Sequence, residues 1–245
     1  MRIIVSADYD EMSKLAAEDV AGIIRENPTV VLGLPTGSTP LGMYRNLITM
    51  HKQGNLSFRH VTTFNLDEYI GLEPGHVNSY RYFMYENFFK HVDIQEQNIN
   101  IPDGNAADLE QECMDYEAKI RNAGGIYLMV LGVGNNGHIG FNEPADHFPI
   151  ATHVTRLDES TIRANARFFR SPDEVPRLAV TMGIGSIMRS RRILLLASGN
   201  AKARAISAAL EGSVTPALPA SILQFHPDVT VILDAEAASL LTRNP

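Results

Sequence analysis

Between Leu131 and Pro144 the chain reads Gly132-Val133-Gly134-Asn135-Asn136-Gly137-His138-Ile139-Gly140-Phe141-Asn142-Glu143, directly after the uncharged run Ile126–Leu131. An apolar run of that length reads as a buried strand, and the glycines read as the loop at its end. His138 and Glu143 then stand five residues apart on backbone that can bend sharply. An imidazole beside a carboxylate is equipped for acid–base chemistry near neutral pH. Gly132, Gly134 and Gly137 also fit the G-x-G-x-x-G dinucleotide fingerprint. That fingerprint needs an uninterrupted helix to follow, and Pro144 and Pro149 break one early, so nicotinamide binding is rejected. His138 and Glu143 also lack the i, i+4 spacing of helical metal ligands, and no metal site is expected.

Three other loops could carry chemistry. Pro35-Thr36-Gly37-Ser38-Thr39-Pro40 offers two kinds of hydroxyl, free backbone N–H groups and a helix N-terminus, all suited to a phosphate dianion. Taken alone it is equally a plain strand-to-helix turn. Ala197-Ser198-Gly199-Asn200-Ala201-Lys202 repeats the arrangement. Lys202 falls in a first helical turn, against the dipole's preference for anions, which suits a bound anion; the plain alternative is a lysine reaching water. Asn65-Leu66-Asp67-Glu68-Tyr69 puts adjacent carboxylates at a strand end, where one faces a cleft and the other turns away. Of Arg163, Arg167 and Arg170, at least two read as surface charges, and Cys113 reads as a small buried residue.

The elements that must position these residues alternate. Strands are predicted at Arg2–Ser6, Thr29–Gly33, Val61–Asn65, Ile126–Leu131, Leu178–Met182, Arg192–Ala197 and Val229–Asp234. Helices are predicted at Asp10–Glu26, Leu41–Gln53, Tyr80–Lys90, Asp108–Ala123 and Ala201–Glu211. This pattern predicts one α/β domain over residues 1–245, a doubly wound, Rossmann-like, mainly parallel sheet with helices on both faces and ligands beyond the strands' carboxyl ends. Of the 245 residues, 44% are hydrophobic and 20% charged, ordinary for a globular protein. The net charge of −7 speaks against nucleic-acid or acidic-membrane partners, and the single cysteine excludes an internal disulfide. The quickly polar start and the lack of an apolar run near the roughly 20 residues needed to span a bilayer lead us to expect a cytoplasmic protein.

Five pieces, in order, resemble glucosamine-6-phosphate deaminases of the glucosamine/galactosamine-6-phosphate isomerase family: residues 33–40, Asn65–Tyr69, Gly132–Pro144, Ala164-Asn165-Ala166-Arg167-Phe168-Phe169 and Ser198–Lys202. The resemblance implies conversion of glucosamine 6-phosphate and water to fructose 6-phosphate and ammonia, without metal or organic cofactor. It assigns ring opening to His138, support of that histidine to Glu143, and transfer of the C2 proton to C1 to Asp67. It assigns the phosphate to Thr36, Gly37, Ser38, Thr39, Arg167 and Lys202. Where some members carry aspartate beside the histidine, this chain has Asn136, which can accept a hydrogen bond but brings no charge. Members activated by N-acetylglucosamine 6-phosphate use basic residues where this chain reads Ala151-Thr152-His153-Val154-Thr155, and they have a longer C-terminal segment. A monomer is therefore expected, with a homo-oligomer as the alternative. The rival readings are a 6-phosphogluconolactonase-like hydrolase and the sugar-phosphate-sensing domain of a regulator. The Asp67-Glu68 pair and the complete Asn142-Glu143-Pro144 element speak against the first. The acidic charge and the lack of an N-terminal helix-turn-helix speak against the second.

Overall fold

Period-two alternation lets one buried strand feed two cores. Leu128 and Val130 join Leu194 and Leu196 in one apolar cluster, while Met129 and Leu131 join Ile193 and Leu195 in another. The computed structural model describes residues 1–242. Its strands are β1 (Arg2–Ser6), β2 (Val31–Leu34), β3 (Thr62–Asn65), β4 (Asp67–Tyr69), β5 (Ile99–Asn100), β6 (Leu128–Leu131), β7 (His153–Arg156), β8 (Leu178–Thr181), β9 (Arg192–Ala197) and β10 (Val229–Asp234). Its α-helices are α1 (Tyr9–Glu26), α2 (Leu41–Lys52), α3 (Tyr80–Asn87), α4 (Leu109–Asn122), α5 (Glu159–Asn165), α6 (Ile184–Met188) and α7 (Asn200–Glu211). Asp8, Ser79 and Asp108 cap α1, α3 and α4 through their side chains, which fixes where those helices begin.

The main sheet has seven strands, ordered β1-β10-β9-β6-β2-β3-β5, and every pairing in it is parallel. Helices α1, α2 and α3 pack on one face and α4, α6 and α7 on the other, the doubly wound arrangement read from the alternation. From β2 the chain steps outward through β3 to β5, then returns to place β6 on the other side of β2. This reversal is a topological switch point, and it brings the loops after β9, β6 and β2 together at the carboxyl edge. No helix among the described residues is long and apolar enough to cross a membrane.

One expectation is corrected. The segment Leu178–Met182, read as a further strand of the alternation, instead supplies β8 (Leu178–Thr181), the centre of a three-stranded antiparallel sheet, β4-β8-β7. That small sheet holds Asp67 opposite Thr181, just past the end of β3. The glycine fingerprint after β6 leads into no helix; the next strand or helix of the chain is β7.

Candidate active site

A cleft of about 570 Å³ opens at the switch point. Of the residues singled out from sequence, Thr36, Gly37, Ser38, Thr39, Asp67, His138, Arg167 and Lys202 line it; Asn136 and Glu143 stand behind His138. The ends of β2, β3, β6 and β9 supply all of these groups but Arg167, which follows α5, and this is why residues so far apart in sequence meet.

The loop after β2 is pinned from outside. The Tyr9 hydroxyl donates to Ser38 O at 3.0 Å and accepts from Gly42 N at 2.8 Å, while the Tyr44 hydroxyl donates to Pro35 O at 2.6 Å. Gly37 turns the loop with φ of 96°, a conformation that suits glycine. Among the described residues the N–H groups of Gly37, Ser38 and Thr39 have no protein partner, and neither α2 nor α7 carries an acid in its first turn. Facing them, Lys202 and Arg167 pair with no carboxylate among the described residues. Burial, and then the repulsion of Arg167, push the Lys202 ammonium below its usual range. Two cations without a carboxylate partner beside free N–H groups are a donor set that suits a doubly charged anion. Arg163 and Arg170 lie outside the cleft, as expected of surface charges.

Asp67 and Glu68 divide as their alternation requires. Glu68 is buried and accepts the backbone N–H groups of Tyr69, Tyr80 and Arg81 at 2.8, 2.9 and 2.8 Å, so it anchors the start of α3. The Asp67 carboxylate faces the cleft with no hydrogen-bond partner among the described residues. Burial, reinforced by the charge of Glu68, pushes its pKa up to about 8. A carboxylate so held gains greatly by accepting a proton.

Behind His138 the loop forms a relay. Glu143 Oε2 lies 3.3 Å from His138 Nδ1, and Thr161 Oγ1 lies 3.4 Å from the same nitrogen. Nε2 is thus left free toward the cleft. Burial raises the Glu143 pKa, but the hydrogen bond and charge of His138, with Thr161 and Asn136, outweigh it and hold the carboxyl below its usual range. Asn136 makes no hydrogen bond to the imidazole ring. Its Oδ1 accepts the backbone N–H of His138 at 3.2 Å and its Nδ2 donates to Glu143 Oε2 at 2.8 Å. It thus ties the Glu143 carboxylate to the backbone of the histidine. Gly134 lies under the imidazole so closely that a Cβ there would enter the ring's van der Waals envelope.

The residues 6–232 match the family described as glucosamine-6-phosphate isomerases/6-phosphogluconolactonase. The chain belongs to this family. Within the family, it is 57% identical to a glucosamine-6-phosphate deaminase of Thermoanaerobacter pseudethanolicus over 241 residues, covering 98% of this chain and 95% of the relative. It is 53% identical to one of Clostridium perfringens, covering 98% and 100%. A solved structure described as a monomeric glucosamine-6-phosphate deaminase superposes with a TM-score of 0.96 at 50% identity, covering 98% of this chain and 100% of that one. A 6-phosphogluconolactonase of Trypanosoma cruzi superposes at 0.77 but with 23% identity, over 99% and 97%, a likeness of fold.

Sequence reasoning missed part of what surrounds these family motifs. Tyr69, Tyr80 and Phe141 stack into an aromatic wall of the cleft, with ring centroids 4.7 to 5.8 Å apart. Asn165 Nδ2 donates to the Tyr69 hydroxyl at 2.9 Å. Thr161 carried no signal in the sequence, because only the fold brings it to His138.

Proposed function

We propose that the protein is a glucosamine-6-phosphate deaminase, converting glucosamine 6-phosphate and water to fructose 6-phosphate and ammonia. The observation that carries this reading is one cleft holding three separate devices: an unbonded buried carboxylate, an imidazole backed by a carboxylate, and a pair of unpaired cations. In the proposed reaction the phosphate sits among Thr36–Thr39, Arg167 and Lys202, which fixes the sugar over Asp67 and His138. His138 Nε2 moves a proton between the anomeric hydroxyl and the ring oxygen, opening the pyranose, while Glu143 stabilises the imidazolium. Asp67 takes the C2 proton and delivers it to C1, and water then attacks the C2 imine to release ammonia. A carboxylate base at C2 has no task in hydrolysing a lactone, which favours deamination over the lactonase alternative. A coupled assay should return one fructose 6-phosphate per ammonia from glucosamine 6-phosphate, with far lower activity on glucosamine. Equal activity on the two sugars would remove the phosphate site from the account.

Gly134→Ala should displace the imidazole and lower kcat by about 10²-fold, since an error near 1 Å in a reacting group has that effect, while KM moves little. Equal loss in both parameters would mean that the loop as a whole, and not the ring, has moved. Asn136→Asp replaces the amide donor by a carboxylate 2.8 Å from Glu143. Like charges favour proton uptake by the pair and the imidazolium beside it, so the acidic limb of kcat/KM should move to higher pH. Profiles of the two enzymes at matched ionic strength read this directly.

For assembly, we propose a monomer with hyperbolic kinetics that N-acetylglucosamine 6-phosphate does not change. The support is the absence of lysine and arginine across residues 151–155 and the monomeric state stated for the relative at 50% identity. Sigmoidal kinetics relieved by the acetylated sugar would contradict it.

A further inference from the structure

We propose that the stretch 158–168 couples phosphate binding to the alignment of His138, so that the phosphate group activates turnover as well as anchoring the sugar, with Thr161 as the positioning residue. This rests on the phosphate site of the preceding section. Three parts of the cleft are contacted in succession along the stretch. At its start the backbone N–H of Asp158 donates to Glu143 Oε1 at 3.4 Å, Ser160 Oγ lies 3.5 Å from Asn136 Nδ2, and Thr161 Oγ1 lies 3.4 Å from His138 Nδ1. In the middle Asn165 holds the Tyr69 hydroxyl at 2.9 Å. At its end Arg167 faces Lys202, and the two cations repel.

The lengths differ in a telling way. The Asn165 bond is ordinary, whereas all three contacts on the relay lie at the long limit of hydrogen bonding. Ile162, with Leu157 before it and Ala166 and Phe169 after it, packs against Tyr69 and Phe141 in one apolar cluster, so the stretch is held together and a tilt about the Asn165–Tyr69 contact moves its two ends as one body. Arg167 and Lys202 carry like charges and repel one another. A dianion between them replaces repulsion by two attractions and draws Arg167 inward. The short helix carries that displacement to Thr161, which closes on Nδ1 and fixes the imidazole plane. Binding energy from a remote, unreacting group is thereby spent on aligning the reacting one.

The test separates the two halves of the substrate. Wild-type enzyme is given glucosamine with and without inorganic phosphite, and phosphite is tested separately as a competitor of glucosamine 6-phosphate. Saturating phosphite should raise kcat/KM for glucosamine at least about 10-fold, a modest share of what remote binding energy can supply. Thr161→Val should leave the phosphite inhibition constant unchanged, abolish the activation, and lower kcat on glucosamine 6-phosphate with KM nearly constant; Thr161→Ser should restore both. Phosphite that competes with substrate yet leaves glucosamine turnover unchanged would overturn the inference alone, and so would full activation in Thr161→Val. Phosphite that does not compete at all would remove the phosphate-site reading, and the inference with it.

Discussion

Replacing Asp67 by asparagine is expected to lower kcat by about 10²-fold or more, the scale of a positioned general base; KM rises too, because the carboxylate also faces the substrate ammonium, while the phosphate keeps the sugar anchored. The same substitution should stabilise the fold. With its pKa pushed up to about 8, Asp67 binds a proton in the folded chain that it has released in the unfolded one. Its contribution is therefore destabilising from the unfolded pKa upward, grows until pH reaches about 8, and is constant beyond. An asparagine carries no such burden, so the melting temperature of Asp67→Asn should exceed that of the wild type most clearly at pH 8 and converge with it near pH 4. A raised base has a kinetic signature as well. In the free enzyme kcat/KM should fall as pH drops below about 8, because the neutral carboxyl cannot accept the C2 proton. A substrate ammonium beside Asp67 favours the carboxylate, so the matching limb of kcat should lie at lower pH. Coincident limbs, or a variant that melts below the wild type at pH 8, would contradict the environment assigned to Asp67.

Glu143→Gln is expected to cost about 10²-fold or more in kcat, although the side chain lines no part of the cleft. With asparagine at position 136, Glu143 is the carboxylate in contact with the His138 ring, and the exposed Asp158 adds only a longer-range attraction. Glutamine preserves shape but removes the charge, and its amide can turn a donor toward Nδ1, favouring the wrong tautomer. Because hydrogen bonding and the histidine hold the Glu143 pKa below its usual range, its stabilisation is present above the unfolded carboxylate pKa. That stabilisation is lost only as pH falls through the depressed folded value. Urea denaturation of the two proteins should thus differ most at neutral pH and least in strong acid. A harmless Glu143→Gln would mean that His138 opens the ring unaided.

Six of the seven strands of the large sheet were legible in the sequence because they are apolar and separated by amphipathic helices, as at β6 and β9 and at the Asp108 cap of α4; β5, with two residues, was too short to stand out. The loops of the candidate site were legible for the same reason, since they follow those strands. The small sheet was not, because β4 has three residues and β7 alternates weakly, so neither stands out by periodicity. Asp67 was placed at a strand end by pattern, but that it faces the cleft while Glu68 caps α3 is decided by the antiparallel partner Thr181 and by three backbone donors that sequence does not name. The partner of Asn136 was likewise hidden, for an amide can donate or accept, and only the fold brings Glu143 to its Nδ2.

The central claim is that a proton leaves C2 before ammonia does, and that a base at Asp67 removes it. Glucosamine 6-phosphate carrying deuterium at C2 tests this most directly, with the product analysed for sugar identity and label position. The account predicts a primary isotope effect on turnover and fructose 6-phosphate with its deuterium at C1 or lost to water. An aldose product that keeps the deuterium at C2, formed at an undiminished rate, would mean that ammonia is displaced directly, and Asp67 would have no proton to take.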